Sequence, residues 1–66
     1  MEIYLNGESK SVADNLTISN LIDDLSLDNK RFAVEVNLDI IPRSQFEQFK
    51  LKDQDKVEIV QAIGGG

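Results

Sequence analysis

The segment that decides the fold is Val57-Glu58-Ile59-Val60-Gln61-Ala62-Ile63, which is followed directly by Gly64-Gly65-Gly66. Its β-branched, apolar residues predict a strand that belongs to the core of a sheet. The three glycines place the terminal carboxylate at most about 10 Å beyond that strand. Because so thin a tail fits the active site of another protein, we expect Gly64 and Gly65 to enter a partner's active site. The carboxylate of Gly66 is then the group that reacts there.

A glycine-rich end is also typical of flexible linkers. On composition alone, this alternative stays open. The glycines follow a strand with no Ser- or Pro-rich spacer, and this arrangement favours a functional tail. We therefore predict one folded domain over residues 1–63 and a flexible tail over residues 64–66.

The composition excludes several classes of site. The chain has 66 residues with no cysteine and no histidine. Zinc clusters, Ser-His or Cys-His nucleophiles and histidine acid–base chemistry are therefore not expected. The acidic pair Asp23-Asp24 is interpreted as a solvated helix surface. We expect no metal site, no bound cofactor and no enzymatic activity of the chain alone.

The charge also limits the partners. Seven basic residues against twelve acidic ones give a net charge of −5. Nucleic acid would be repelled, whereas a basic protein surface would be attracted. A solubility role for this charge is an equally open interpretation. No apolar run is long enough to span a membrane, and no secretory signal is evident, so we expect a soluble compartment.

The first half of the chain predicts a hairpin and a helix. Met1, Ile3 and Leu5 alternate with polar residues as in a half-buried strand, and Asn6-Gly7 predicts a turn into a second arm at residues 10–13. Thr17 is the expected N-cap of a helix that ends near residues 27–29. Its apolar stripe has helical spacing and consists of Ile18, Leu21, Ile22 and Leu25.

The second half predicts further strands. Residues 31–37 form one strand, residues 40–41 a short second one that ends before Pro42, and residues 57–63 the last. Ser44 and Glu47 have the spacing of a capping box, which predicts a short helical turn. Strands with a single main helix indicate an α+β fold with that helix packed on one face of the sheet.

The open face of such a sheet is a candidate interface. Val57 and Ile59 should pack under the helix, so Val60 and Ala62 point the other way, as Tyr4 does on the first strand. If these strands are adjacent, Tyr4, Val60 and Ala62 form a small apolar patch beside the tail. We predict that this patch is the partner interface, although scattered apolar exposure is common.

The chain resembles the ThiS family, the sulfur carriers of thiamin biosynthesis, over essentially its whole length. The residues that carry the resemblance are Val36-Asn37, Ile41-Pro42-Arg43-Ser44, Asp53, Asp55, Val57-Glu58-Ile59-Val60 and Gly64-Gly65-Gly66. Two positions depart from the pattern: Gln54 stands where the family often has glycine, and Phe46 where it often has tryptophan. The departures concern local turn geometry and lie away from the tail.

The resemblance implies a β-grasp (ubiquitin-like) fold, with a mixed sheet of four to five strands. It also implies a reaction cycle in which an adenylating enzyme uses ATP and Mg²⁺ to activate the carboxylate of Gly66. A cysteine persulfide then supplies sulfur, and thiazole synthase consumes the resulting thiocarboxylate. The expected location is a bacterial cytoplasm or a plastid stroma.

Three alternatives stay open. A molybdopterin-type sulfur carrier shares the fold and the diglycine but is usually longer. A ubiquitin-like modifier often has a basic residue before the diglycine, whereas Ile63 stands there in this chain. A non-covalent binding module could also end in glycine, and its function would not depend on Gly66.

Overall fold

The structure is a computed structural model that describes residues 1–27 and 31–61. Its elements, in chain order, are β1 (Glu2–Leu5), β2 (Glu8–Ser11), α1 (Ile18–Asp24), β3 (Phe32–Val36), β4 (Asp39–Ile41), a 3₁₀ helix (Arg43–Gln45) and β5 (Lys56–Gln61). The predicted last strand begins at Lys56, and its residues 62 and 63 lie outside the described part of the chain.

The five strands form one mixed sheet in the order β2-β1-β5-β3-β4. β1 and β5 are parallel, and the other neighbouring strands are antiparallel. The last strand in the sequence therefore lies in the centre of the sheet. This arrangement confirms the predicted α+β class with a mixed sheet and one main helix.

One face of the sheet carries the core. Ile3, Val34, Val36, Ile41 and Val57 are buried and share this face. The helix contributes Ile18, Leu21 and Ile22 to the same cluster, which confirms the apolar stripe predicted from the sequence. The other face of the sheet is called the open face below.

The first hairpin has a two-residue turn. Asn6 and Gly7 have φ of 49° and 85°, the positive values that a type I′ turn requires. Because the turn is this short, the second arm covers Glu8–Ser11, and the predicted arm at residues 10–13 was placed too late.

The helix ends earlier than predicted. Thr17 is its N-cap, as expected, and it forms a capping box with Asn20. At the other end, Ser26 has φ of 58°; its N–H donates to the carbonyl of Asp23, and the N–H of Leu27 donates to that of Ile22. This pair of bonds is a Schellman motif, which ends the helix at Asp24 rather than near residues 27–29.

The helical turn after β4 also differs in detail. The 3₁₀ helix begins directly after Pro42, and no side chain caps it, so the predicted capping box at Ser44 does not form. Ser44 lies inside the turn instead of at its start. Phe46, which ends the turn, is buried and stacks on Phe32 with 6.2 Å between the ring centroids. We attribute the position of the turn to this packing, which local spacing does not reveal.

Two polar turns are fixed to the start of β5. Asn37 has φ of 51°; its amide donates to Asp55 at 3.0 Å and accepts from the backbone N–H of Lys56 at 3.0 Å. Gln54 has φ of 72°, a conformation that glycine adopts freely. The glycine that the ThiS family often has at this position therefore suits the geometry of the turn.

Candidate functional site

The described chain leads to the glycine tail through the central strand. β5 pairs with β3 in five register positions, from Val36↔Val57 to Phe32↔Gln61. On its other side, the pairing with β1 stops at Leu5↔Val57. The last part of β5 therefore extends beyond β1 and needs another partner on that side.

The side chain of Asn6 supplies this partner. Its Oδ1 accepts the backbone N–H of Ile59 at 2.9 Å, and its Nδ2 donates to the carbonyl of the same residue at 3.4 Å. Asn6 thus continues the hydrogen bonding of β1 by one further step. The strand that precedes the tail is held on both sides as far as Ile59. Sequence reasoning identified Asn6 as a turn residue and missed this second role, because the bonding partner lies 53 residues away.

Tyr4 and Val60 both belong to the open face, as predicted, and their strands are adjacent. Tyr4 is half-buried and its hydroxyl donates to Oε1 of Gln54 at 3.3 Å, whereas Val60 is 57% exposed. However, the register pairs Tyr4 with Lys56, and Val60 follows four residues later, about 13 Å along the strand. Glu58 shares their face between them, so Tyr4 and Val60 are not in one continuous apolar patch.

Val60 has different neighbours. Ala33 is its register partner on β3, and it is exposed. One step along the sheet, Ile40, Glu35 and Glu58 form a row across β4, β3 and β5, in which Ile40 is 71% exposed. We define the open-face patch by these residues: Ala33, Glu35, Ile40, Glu58 and Val60. The sequence analysis missed all of them but Val60, although the alternation within each strand already gave their face.

A groove of about 680 Å³ lies on the helix side of the same strand end. It is lined mainly by apolar side chains, and its members are Leu5, Asn6, Leu25, Leu27, Ile59, Val60 and Gln61. No charged residue is among these lining residues. The end of β5 therefore lies between an acidic apolar patch on one face and a neutral groove on the other.

A cation lies near the same end of the sheet. The guanidinium carbon of Arg43 is 4.7 Å from the centroid of the Phe32 ring, a cation–π geometry. Phe32 is the register partner of Gln61, the last described residue of β5. Arg43 thus places a positive charge close to the point where the described chain ends.

The other predicted site residues have a simple outcome. Ala62, Gly64, Gly65 and Gly66 lie outside the described residues, so their roles stay predictions. Within residues 1–27 and 31–61, no group of three or more acidic side chains is arranged to hold a metal ion. In the same ranges, no helix has the length and apolar character needed to cross a membrane.

Comparison with known proteins adds a family and a fold neighbour. The model of the ThiS family matches residues 3–66. The sulfur carrier protein ThiS of Bacillus subtilis is 38% identical over 65 residues, which cover 97% of this chain and 98% of that protein. A crystal structure of the thiamine biosynthesis protein ThiS from Geobacter metallireducens superposes with a TM-score of 0.86 at 30% identity, and all of both chains is covered.

A longer relative is also similar. A protein of Paramagnetospirillum magneticum named thiazole synthase is 41% identical over all 66 residues of this chain. The chain spans only 20% of the length of that relative. A region similar to the whole of this chain is therefore part of a larger polypeptide in that organism.

Proposed function

The chain belongs to the ThiS family, the sulfur carriers of thiamin biosynthesis, and we propose that it carries sulfur as a thiocarboxylate on Gly66. The family match extends through Gly66, as does the resemblance found in the sequence. The observation that supports the proposal best is that β5, the central strand of the sheet, leads directly to the three glycines. A reactive group at the end of this strand is carried by the most extensively paired part of the fold.

The proposed chemistry begins with activation of the carboxylate. A carboxylate has no good leaving group, so an oxygen of Gly66 attacks the α-phosphorus of ATP within an adenylating enzyme. Pyrophosphate leaves and an acyl-adenylate forms, with Mg²⁺ bound by that enzyme and the phosphates. The chain is the substrate in this step, and it acts as a carrier rather than as a catalyst.

Sulfur then replaces the adenylate. The terminal sulfur of a cysteine persulfide attacks the acyl carbon, AMP leaves, and an acyl disulfide forms. A second thiol cleaves the S–S bond, which releases the thiocarboxylate and leaves a disulfide behind. Gly65 and Gly66 put no Cβ beside the acyl carbon, so both attacks are unhindered.

Thiazole synthase is the proposed consumer of the sulfur. Support comes from the Paramagnetospirillum magneticum protein of that name, which contains a region similar to this entire chain. Proteins whose modules are joined in one polypeptide in another organism are reasonable partners when the modules are separate. The thiocarboxylate sulfur is a softer nucleophile than a carboxylate oxygen, and it is therefore suited to attack on a carbonyl-type intermediate during ring formation.

Intact mass spectrometry tests the proposal. The protein is co-expressed with the adenylating enzyme and a persulfide donor from its own source. We expect a gain equal to the exchange of one oxygen for one sulfur, located at Gly66. A matched variant with one alanine added after Gly66 should fold equally well and gain no sulfur at that glycine.

An unchanged mass with both enzymes active would contradict the sulfur-carrier function. Conjugation of Gly66 to lysines under the same conditions would indicate a protein modifier instead. Sulfur gain by the extended variant at its added residue would show that the glycine end itself is unimportant.

A further inference from the structure

We propose that the open-face patch binds the adenylating enzyme, and that a basic side chain of that enzyme inserts between Glu35 and Glu58. Ile40 and Val60 border this position and would contact apolar residues around the basic side chain. The inference rests on the proposed function, because it assigns a surface to the first partner of the cycle.

The register of the sheet creates the acidic position. Glu35 and Glu58 are direct partners in the antiparallel pair of β3 and β5. Side chains of such partners leave the same face, with Cβ atoms about 4.5–5.5 Å apart. Two carboxylates at this separation can both contact one guanidinium or ammonium group.

The two charges have no cation of their own in the described part of the chain. Across residues 1–27 and 31–61, neither glutamate is in an ion pair, and Lys56, two residues before Glu58 on the same face, bonds to neither. Like charges in direct register destabilise a sheet. A partner's cation would remove this repulsion, so the position favours binding a positive group over staying empty.

Apolar side chains complete the surface. Ile40 is 71% exposed and Val60 is 57% exposed, and they lie on either side of the glutamate pair. Large apolar residues at such exposure, arranged around a charged pair, match the apolar and polar composition of a protein interface. The neutral groove on the helix side offers no comparable charge match.

The choice of the adenylating enzyme follows from the longer relative. In the Paramagnetospirillum magneticum protein, the region similar to this chain is covalently part of a thiazole synthase. A tethered partner has a high effective concentration and needs little docking affinity. A surface specialised for recognition is needed most by the partner that must be captured from solution, which is the adenylating enzyme.

The test compares three variants that each remove one negative charge: Glu58→Gln, Glu35→Gln and, as the matched control, Glu47→Gln. Glu47 is exposed and follows the 3₁₀ helix, outside the sheet. Affinity for the adenylating enzyme is measured by calorimetry at fixed salt, and melting temperature on the same samples. We expect each patch variant to bind about fivefold more weakly and the control to bind as the unmodified chain does.

Stability gives a second, opposite signature. Removal of one charge from the pair relieves the repulsion, so Glu58→Gln should raise the melting temperature by about 2 °C while it weakens binding. A variant that merely damaged the fold would lose both. Charge reversal in Glu58→Lys should weaken binding more than Glu58→Gln does.

Equal affinity of all three variants for the adenylating enzyme would overturn this inference. If the unmodified chain still gains sulfur in that case, the proposed function stands and only the docking surface is wrong. Loss of binding to thiazole synthase alone would assign the patch to that enzyme and also overturn the inference. Self-association that the patch variants abolish, seen by analytical ultracentrifugation, would assign it to a second copy of the chain.

Discussion

Several single residues hold backbone conformations that side chains usually disfavour. Seven described residues have positive φ, and only Gly7 among them is a glycine. Asparagine tolerates this region, which accounts for Asn6, Asn15 and Asn37. Ser26, Leu38 and Gln54 have no such preference, so each is expected to cost about 1 kcal/mol relative to glycine. Local strain at these three turns is thus a reserve of stability.

The substitution Ser26→Gly tests this at the end of the helix. Glycine is the preferred residue at the left-handed position of a Schellman motif, so we expect the free energy of unfolding to rise by about 1 kcal/mol. Thermal denaturation should show an increase of about 4–8 °C for a domain of this size. The control Ser19→Gly, in the first turn of the helix, should instead lower stability by about 0.5 kcal/mol. Equal effects of the two changes would show that the φ of Ser26 is not a source of strain.

At the scale of elements, the function depends on how the end of β5 is held. β3 pairs with it as far as Gln61, whereas β1 stops at Leu5 and only the Asn6 side chain continues. A strand that is well fixed keeps the reacting end at a defined distance from the open-face patch. We therefore assign Asn6 a positioning role for the tail in addition to its role in the turn.

The variant Asn6→Gly separates the two roles. Glycine adopts the positive φ of the turn, so the hairpin is retained while both side-chain bonds to Ile59 are lost. We expect hydrogen exchange of the Ile59 amide to accelerate about tenfold. The Tyr4 amide, which donates to the carbonyl of Asp55, is the internal control and should be unaffected. Unchanged exchange at Ile59 would mean that Asn6 does not hold the strand.

The whole molecule has two unlike faces and a strong charge. Its core lies on the helix side of one sheet, and a chain of 66 residues leaves the other face uncovered. The net charge of −5 extends over a small protein, so its field reaches a basic partner before contact. Acidic charge on this scale favours fast encounter more than tight binding.

Ionic strength should therefore change the rate of association with the adenylating enzyme. A rise from about 0.1 M to about 1 M salt shortens the Debye length from about 10 Å to about 3 Å. We expect the association rate constant, measured by stopped flow, to fall at least about tenfold. The dissociation rate constant should change much less. A salt-independent association rate would show that the acidic charge serves solubility alone.

The sequence by itself determined the features that depend on neighbours along the chain. The turn at Asn6-Gly7, the cap at Thr17 and the apolar stripe of the helix follow from residue type and spacing. The family resemblance, which the comparisons confirm, rested on short motifs and on the glycine end. Ser26 escaped prediction because a serine carries no signal for the left-handed conformation that ends the helix.

Only the tertiary structure decided which side chains meet across strands. Alternation placed Tyr4 and Val60 on one face, yet the parallel register of β1 and β5 separated them and brought Glu35 opposite Glu58. Register is fixed by the packing of Ile3, Val34 and Val57 beneath the helix, which joins residues far apart in sequence. The chemistry of the end of the chain is therefore local information, whereas the surface beside it is a product of long-range packing.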